Sequence, residues 1–365
     1  MKKSTESKPS LTDLRQRIDG IDRQIQELIA ERAGYARQVG VAKGPLKAAI
    51  DYYKPEREAQ VLRGVVDRNQ GPLSNEVLLR VFREIMSACL AQQNPLKIAY
   101  LGPEGTFSQA AVQKHLGHSV IAIPMASIEE VFAEVESRNA DFGVVPVENS
   151  TEGAVNHTFD MFYTTPLKIC GEIELRIQQN LLSRAADLAH VERVYSHAQS
   201  LAQCKNWLRE HLPKAERIPV SSNAEAARRA RNADDAAAIA GLAAAHVYGL
   251  KVLAPNIEDR PDNTTRFFVL GPELFPPSGH DKTSLLLAVK DQPGALYSLL
   301  TPLAKHGISM TRIESRPARG AKWEYVFFID VEGHVESGAL KAALDDLGPV
   351  AAQLKVLGAY PAAIV

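Results

Sequence analysis

A polar turn that leads directly into an apolar strand holds the residues with the clearest chemical potential in this sequence. Residues 262–265 are followed by Arg266 and then by the apolar run Phe267–Leu270. The pattern predicts a strand with the hydroxyl of Thr265 and a guanidinium at its entrance, where open α/β sheets place ligand contacts. A simple turn capped by Asn263 explains the same residues equally well. Other polar turns in the chain shift the balance towards a binding site.

Three such turns follow predicted strands and precede predicted helices. These strands, each with its turn, are Lys97–Leu101 with 102–105, Phe142–Val147 with 148–151, and Val191–Tyr195 with 196–199. Each helix start brings free amides and a positive dipole end to the carboxyl side of a sheet. The turn 102–105 is not a P-loop, because the Lys-Ser/Thr ending is missing. The turns together predict a cleft for a small molecule that carries a carboxylate.

Basic residues on the first predicted helix form a second candidate site. Arg32 and Lys43 are separated by a spacing that returns to nearly the same helix face. Arg15 precedes Arg32 by roughly 25 Å of helix, about 100° around the axis. The two arginines therefore cannot share a small ligand within one chain, although they could across an antiparallel dimer. For any single arginine, a solvated charge on a surface helix is the commoner explanation.

The composition argues against several classes of function. The 365 residues include 42 basic and 43 acidic side chains, so nothing indicates a nucleic-acid partner or a polybasic membrane anchor. The three cysteines have no metal-type spacing, and reduced thiols are expected. Residues 4–10 are polar where a signal peptide would be apolar, and no window is long enough to span a membrane. The sequence therefore predicts a cytoplasmic protein.

The N-terminal third of the chain is predicted to be helical. Ser10 and Asp13 form a capping-box pattern, and apolar residues then recur at helical spacing as far as Pro45. This predicts a helix of roughly 30 residues, about 45 Å long. Shorter helices are predicted from Pro55 to about residue 69 and from Ser74 to about residue 93. Two short helices cannot cover the whole apolar face of the long first helix. The uncovered part favours an intertwined helical dimer.

Alternating strands and helices from residue 97 to residue 271 predict a parallel α/β fold with two lobes. The strand that begins at Thr265 is expected to return to the first lobe. The alanine-rich run Ala236–Ala245, followed by Gly249, is interpreted as a packing helix. Ser222 with Glu225 is interpreted as a structural helix cap.

A linker rich in proline and glycine, residues 271–279, precedes a small C-terminal module. Its predicted strands are 283–290, 308–315, 323–331 and 352–358, and its predicted helices are 295–306 and 336–347. This βαββαβ order is the ferredoxin-like arrangement. The arrangement alone says nothing about function.

The N-terminal helices resemble the AroQ-type chorismate mutase domain over roughly residues 10–94. The positions that carry the resemblance are Arg15, Arg32, Lys43, Arg57, Glu58, Cys89 and Gln93. It implies that a dianionic substrate is clamped by Arg32, Arg57 and the Arg15 of a partner chain. A pericyclic rearrangement needs no acid, base or cofactor, only positioning and donors aimed at developing charge.

The same resemblance implies roles for the remaining positions. Lys43 and Gln93 would donate hydrogen bonds to the ether oxygen of the substrate. Glu58 would accept a hydrogen bond from the ring hydroxyl, and Cys89 would line the substrate site.

The middle of the chain resembles prephenate dehydratases over about residues 97–271. Four motifs stand in that family's order, at residues 102–108, 146–150, 195–197 with 203–204, and 265–267. The resemblance implies that Thr265 is the key catalytic residue. It also implies a substrate-binding set: Asn149, Ser196, Gln203, Thr106 and Arg266. His197 is the alternative acid, because a histidine titrates near neutral pH.

The C-terminal module resembles the ACT domain that is attached to prephenate dehydratases. The resemblance is carried by the "GAL" residues Gly294, Ala295 and Leu296 and by the "ESRP" residues Glu314, Ser315, Arg316 and Pro317. It implies a phenylalanine site between subunits. A glycine turn and an ordinary strand end explain either segment alone about as well.

The sequence is thus predicted to encode two enzymes and a sensor: an all-α mutase domain (1–95), a two-lobed α/β dehydratase domain resembling periplasmic-binding-protein lobes (96–272) and an ACT domain (283–365). The expected substrates are chorismate and prephenate, with phenylalanine as effector, no metal or cofactor, and a homodimer or tetramer. Two alternatives stay open. One is a dehydratase that acts on arogenate, and the other is a non-catalytic, amino-acid-responsive binding protein.

Overall fold

The computed structural model describes residues 10–42, 53–290, 292–317 and 325–364. Lys43, a predicted site residue, lies outside these ranges, as do Pro45 and Trp323. Among the described helices, none combines the length and the apolar character that a membrane span requires.

Twelve α-helices and fifteen strands are found within the described residues. The helices are α1 Leu11–Ala42, α2 Pro55–Asp67, α3 Asn75–Ala91, α4 Phe107–Leu116, α5 Ile128–Glu136, α6 Asn156–Met161, α7 Ala198–Gln203, α8 Lys205–His211, α9 Asn223–Ala230, α10 Leu242–Tyr248, α11 Ala295–Lys305 and α12 Gly338–Leu347. The strands are β1 Lys97–Leu101, β2 Ile121–Met125, β3 Phe142–Asn149, β4 Gly153–Ala154, β5 Lys168–Arg176, β6 Asn180–Ser183, β7 Arg193–His197, β8 Glu216–Val220, β9 Ala236–Ala240, β10 Lys251–Ala254, β11 Thr264–Gly271, β12 Asp281–Val289, β13 Met310–Pro317, β14 Tyr325–Glu332 and β15 Gln353–Pro361.

The three N-terminal helices begin where the sequence predicts. The amide of Asp13 donates to Ser10 Oγ at 3.1 Å, and the amide of Ser10 donates back to Asp13 Oδ2 at 3.2 Å. Ser74 caps α3 by accepting from the amide of Val77. These local bonds satisfy amides that a helix start would otherwise leave free, which is why the sequence alone locates them.

The apolar face of α1 is exposed along the whole helix. None of its 32 residues is buried. The large apolar side chains on view are Leu11, Leu14, Ile18, Ile21, Ile25, Leu28, Ile29, Tyr35, Val39 and Val41. The C-terminal part of α1 contacts α3 and the residues just after it: Arg32 Nη1 lies 3.1 Å from Cys89 Sγ, and Gln93 Nε2 donates to the carbonyl oxygen of Ala36 at 2.8 Å. An apolar stripe of this length is unusual on a solvent-exposed surface and is available to a further chain.

Two sheets form the two lobes of the α/β region. In the first lobe the strand order is β5-β11-β3-β1-β2, and β4 pairs with β3. β1 is parallel to β2 and β3, whereas β11 is antiparallel to β3 and β5. In the second lobe the order is β10-β6-β9-β7-β8. β11 follows the second lobe in sequence and returns to the first, as predicted.

The prediction of one helix over Ala236–Ala245 is wrong. β9 takes up the first half of this run and lies between β6 and β7, with all five residues fully buried. Only α10 is helical, and Gly249 ends it in the left-handed conformation. α9 packs on β9 through its own buried alanines. Because small side chains allow this close packing, burial in the sheet outweighs the helix propensity of alanine.

A second difference concerns the helix predicted after residue 199. It is interrupted at Cys204, so that α7 and α8 are separate helices. The carboxylate of Asp259 accepts from the amides of Asn206 and Trp207 at 3.0 and 3.2 Å. A distant residue therefore caps α8, which a local sequence pattern does not reveal.

The C-terminal module has the predicted βαββαβ order. Its strands are arranged β13-β14-β12-β15, with antiparallel pairing between neighbours. β15 also pairs with β5 at a single position, Gly358 opposite Ile169, which joins the module to the first lobe in one ten-stranded sheet. A Cβ atom at Gly358 would lie 2.1 Å from the carbonyl oxygen of Ile169. Only glycine allows the two backbones to approach so closely.

We expect Gly358→Ala to weaken the junction between β15 and β5, because one strand must move away. The clash should lower the thermal unfolding midpoint by about 2–6 °C, because a 1–3 kcal/mol overpacking cost corresponds to about 2 °C per kcal/mol in a unit of this size. Gly338→Ala is the matched control, since no atom lies within 4 Å of the added Cβ. Equal unfolding midpoints for the two variants would contradict the close approach as the reason for Gly358.

Candidate active sites

The cleft between the two lobes forms a cavity of about 660 Å³. The cavity is lined by Thr265 at the start of β11, by Asn149 at the end of β3, and by Thr106, the residue that precedes α4. Gln203, at the end of α7, enters from the opposite lobe. Four of the predicted dehydratase residues are thus brought together in one cavity.

Thr265 and Asn149 form the best-defined pair in this cleft. Asn149 Nδ2 donates to Thr265 Oγ1 at 2.8 Å. Asn149 Oδ1 accepts from the backbone amides of Thr151 and Glu152 at 3.0 and 3.3 Å, which fixes the orientation of its amide. Because Thr265 Oγ1 already accepts a hydrogen bond, its own hydrogen is left to donate to a ligand.

No lysine or arginine lines this cavity within the described residues. Positive potential comes instead from helix N-termini, because α4 and α9 both begin at the cavity wall. Thr106 and Ser222 cap these helices by accepting from the amides of Gln109 and Glu225. A carboxylate in the cleft would therefore be bound by amides, hydroxyls and helix dipoles rather than by a side-chain cation.

Ser196 does not line the cleft, which corrects the prediction that it binds substrate. It is fully buried, and its hydroxyl contacts Asn223 Oδ1 and the carbonyl oxygen of Ile239, each at 2.9 Å. The side chain of Asn223 lines the cavity instead. Ser196 lies inside the sheet because alternate residues of β7 point to the interior. Its contribution is to orient Asn223.

The second lobe contributes polar residues that sequence reasoning missed. Asn223 Nδ2 donates to Ser200 Oγ at 2.9 Å, and Gln179 Nε2 donates to Ser200 Oγ at 3.0 Å and to Gln203 Oε1 at 3.3 Å. Gln179 Oε1 is buried without a hydrogen-bond partner among the described residues. The turn at Ser222-Asn223 resembles the other polar turns after strands, so a signal was present. His197 lies exposed at the cavity edge, where its Nδ1 accepts from the amide of Gln199.

Arg266 lies on the opposite face of β11 from Thr265, so the prediction that it lines the cleft is wrong. Side chains alternate along a strand, and Thr265 points to the cleft. Arg266 contacts Glu172 Oε2 at 2.8 and 3.1 Å and Asp330 Oδ2 at 2.7 Å, with its side chain 13% exposed. Burial opposes its charge, but Asp330, Tyr360 and Glu172 outweigh burial and raise the pKa of Arg266.

A second cavity, of about 340 Å³, lies among the N-terminal helices. It is lined by five of the residues predicted for the mutase: Arg32, Arg57, Glu58, Cys89 and Gln93. Arg32 Nη1 lies 3.1 Å from Cys89 Sγ. Arg15 is on the distant part of α1 and does not line this cavity. The helices therefore bring together the predicted set except Arg15 and the undescribed Lys43.

Arg83 is a cavity residue that sequence reasoning missed. It faces Glu58 and Tyr53, and its Nε has no hydrogen-bond partner among the described residues. A signal was present, because Arg83 is four residues from both Leu79 and Ser87, the buried side of α3. Burial lowers the pKa of Arg83.

Glu58 is the one carboxylate among the described residues that line this cavity. Burial raises the pKa of Glu58 to about 7, although the charge of Arg83 and a hydrogen bond from Tyr53 act in the opposite direction. A carboxylate that gains its proton near neutral pH changes between donor and acceptor in the working range of an enzyme.

The predicted sensor residues fall into two groups that one chain does not bring together. Gly294, Ala295 and Leu296 line a cavity of about 270 Å³ with Tyr325 and Phe327 among its other walls. The "ESRP" residues, Glu314 to Pro317, belong to the edge strand β13 and do not line this cavity. Arg316 turns to the first lobe, where its Nη1 donates to the carbonyl oxygen of Asn156 at 2.7 Å.

Known protein families match the chain in three consecutive segments. The chorismate mutase type II family matches residues 14–94, the prephenate dehydratase family residues 98–274, and the ACT domain family residues 283–349. A protein of Stutzerimonas stutzeri named bifunctional chorismate mutase/prephenate dehydratase is 54% identical over 359 residues. That match covers 97% of this chain and 98% of the relative.

Two solved structures are each similar to about three quarters of the chain. One, described as a novel type of quorum quenching acylase, is 33% identical with a TM-score of 0.68 and covers 73% of this chain and 98% of its own. The other is a prephenate dehydratase from Arthrobacter aurescens in complex with L-Phe. It is 36% identical with a TM-score of 0.67, covering 73% of this chain and 90% of its own. Two described activities accompany one fold, so function depends on the site residues.

Proposed function

The chain belongs to the family of bifunctional chorismate mutase/prephenate dehydratases, and from that premise we propose which residues carry out its two reactions and its regulation. The enzyme converts chorismate to prephenate and prephenate to phenylpyruvate, two steps towards phenylalanine. The observation that carries the assignment of sites is that each matched catalytic segment supplies most of the wall of a cavity in which most of its predicted residues meet.

The mutase reaction is assigned to the cavity among the N-terminal helices. Arg32 and Arg57 bind the substrate carboxylates, and a partner subunit supplies Arg15. Gln93 uses one amide hydrogen on Ala36, which leaves the other to donate to the ether oxygen together with Lys43. Glu58 accepts from the ring hydroxyl. The rearrangement is accelerated by holding the compact conformer and by donors aimed at the breaking C–O bond.

The dehydratase reaction is assigned to the cleft between the lobes. The ring carboxylate leaves as carbon dioxide, and its bonding electron pair enters the ring as the ring becomes aromatic. The ring hydroxyl departs with its own bonding pair and takes up one proton, supplied in the end by solvent, to leave as water. The hydrogen that Thr265 has free is aimed at that hydroxyl, while Gln203 and the helix-start amides hold the other carboxylate. Asn149 donates its two amide hydrogens to Thr265 Oγ1 and Asn263 Oδ1, so its part is to orient the threonine. The absence of lysine and arginine from the described wall supports this role, because a poorly neutralised carboxylate loses carbon dioxide more readily.

The sensor and the assembly complete the proposal. Phenylalanine binds at Gly294–Leu296 of one subunit and at the "ESRP" strand of another, and it inhibits by favouring a less active arrangement. A second copy of the chain covers the exposed stripe of α1, and the assembly is a homodimer or a tetramer built on that contact. The protein acts in the cytoplasm, where its three free cysteines stay reduced.

We expect the two active sites to be separable. Arg32→Ala should lower mutase activity at least about 100-fold through loss of a charged contact, and leave dehydration of supplied prephenate intact. Thr265→Ala should do the reverse, by the 100- to 1000-fold typical of a lost donor. Thr264→Ala is the matched control. Loss of both activities from either change, in protein folded by circular dichroism, would contradict the assignment.

The same assay separates the alternatives. Chorismate given to the wild-type protein should yield phenylpyruvate. If the protein converts arogenate to phenylalanine with a higher kcat/KM than it converts prephenate to phenylpyruvate, the arogenate enzyme is favoured. If neither substrate gives a product, a binding protein is favoured. His197→Ala should retain most turnover; a loss as complete as that of Thr265→Ala would make His197 the acid.

A mixing experiment tests whether Arg15 is supplied by the partner subunit. Arg15→Ala and Arg32→Ala are each expected to inactivate the mutase as homodimers. After random reassembly, half of the dimers are mixed and each has one intact site, so about a quarter of the wild-type activity should return. Reassembly of Arg32→Ala with Arg57→Ala is the control, because both residues come from the same chain. Equal recovery in the two mixtures, or none in either, would refute a shared site.

The raised pKa of Glu58 predicts a pH dependence of the mutase. Ionised Glu58 is the acceptor, so kcat/KM should rise about tenfold between pH 6 and pH 8 as the carboxyl loses its proton near pH 7. Glu58→Gln should be less active and lack this rise, whereas the exposed Glu76→Gln should keep it. A rise that persists in Glu58→Gln would show that another group titrates.

A further inference from the structure

The two strands that supply Thr265 and Asn149 also present charged residues to the opposite face of the sheet. β11 and β3 are antiparallel, with Thr265 opposite Asn149 and Arg266 opposite Glu148. Thr265 and Asn149 face the cleft, so the next residues along each strand face away from it. On that side both charged residues meet the C-terminal module.

Arg266 is held by carboxylates from two directions. Glu172 of β5 accepts from it at 2.8 Å, and Asp330 of β14 accepts from it at 2.7 Å. Asp330 is fixed in turn by the hydroxyl of Ser284 at 2.5 Å, and Glu172 by Lys282 at 2.7 Å. Ser284, Lys282 and Asp330 all belong to the C-terminal module, whose strands therefore determine where the Arg266 side chain lies.

Glu148 is held by a second arginine of the same module. Arg312 Nε donates to Glu148 Oε2 at 2.7 Å. The Arg312 side chain is 11% exposed, and its guanidinium lies 4.8 Å from the centre of the Phe159 ring. Arg312 is on β13, the strand that also carries the predicted sensor residue Ser315. A movement of β13 therefore displaces the partner of Glu148.

A displacement of Arg266 or Glu148 is transmitted to the cleft because each is the direct chain neighbour of a cleft residue. Arg266 follows Thr265, and Glu148 precedes Asn149. The Asn149–Thr265 hydrogen bond is 2.8 Å long, and a shift of about 1 Å at either strand would break it. The threonine would then lose the contact that directs its hydrogen to the ligand.

We propose that Glu148 and Arg266 are positioning residues of the dehydratase, and that Arg312 and Asp330 use them to transmit phenylalanine binding to the Thr265–Asn149 pair. The inference rests on the proposed function, since it names the route by which the sensor acts on that site. Neither positioning residue touches the substrate. Glu148 acts through β3, which carries Asn149, and Arg266 acts through β11, which carries Thr265.

Arg312→Met is the central test, because methionine keeps apolar contact with Phe159 while the charge is removed. We expect kcat for prephenate to fall about 10- to 100-fold, the effect of a misplacement near 1 Å, with KM changed less than about twofold. Calorimetry should show that phenylalanine still binds. The degree of inhibition, measured as the rate without phenylalanine divided by the rate with it, should fall at least about fivefold. Arg312→Lys should recover part of both effects.

Glu148→Gln should reproduce Arg312→Met, and the double variant should be no worse than either single one. Lys355→Met is the matched control. Lys355 also crosses from the C-terminal module to the first lobe, but it donates to the carbonyl oxygens of Phe162 and Thr165 and not to β3 or β11. Its loss should leave kcat and inhibition unchanged.

Three outcomes overturn the inference: unchanged kcat and inhibition in both Arg312→Met and Glu148→Gln, additive losses in the double variant, or equal losses in Lys355→Met. Failure of the proposed function looks different. In that case the wild-type protein itself would not dehydrate prephenate or would not bind phenylalanine, whereas an error confined to the coupling leaves both wild-type properties intact.

Discussion

The antiparallel pairing of β11 with β3 is the constraint on which the dehydratase site depends. β11 is separated from β3 in sequence by the entire second lobe, yet it returns to lie between β3 and β5. This return closes the cleft and places Thr265 beside Asn149 at the sheet edge. The strand that carries the proposed catalytic hydroxyl therefore also links the two lobes. The backbone pairing of β11 with β3 is what sets the distance between Thr265 and Asn149.

The two proposed sites bind anions by different physical means. In the helical cavity, Arg32, Arg57 and Arg83 all line the wall, and the effect of burial on the pKa of Glu58 is partly offset by the charge of Arg83 and a hydrogen bond from Tyr53. In the cleft, the described wall contains no lysine or arginine, and helix starts supply the positive potential. A rearrangement that keeps both carboxylates benefits from strong neutralisation, whereas a decarboxylation benefits from its absence at one carboxylate. The difference in charge matches the difference in chemistry.

The features that sequence reasoning predicted correctly were mostly local. The capped starts of α1, α3 and α4, the βαββαβ module and the return of β11 follow from short patterns of polar and apolar residues. The errors have a common origin in long-range contacts. Ala236–Ala240 became a strand because neighbouring elements bury it, and Ser196 and Arg266 face away from the cleft because strand register decides their direction. Arg83 was missed because its importance depends on Glu58, which lies on another helix.

The way Asn149 is held also explains why an amide is needed at this position. Its Oδ1 is fixed by two backbone amides, so Nδ2 must face Thr265. An aspartate here would replace one NH₂ group by a negatively charged oxygen with almost no change in shape. The threonine hydroxyl would then turn its hydrogen to the new carboxylate and away from the bound molecule. Exchange of one amide for an acid would silence the dehydratase without unfolding it, while the mutase of the same polypeptide kept working.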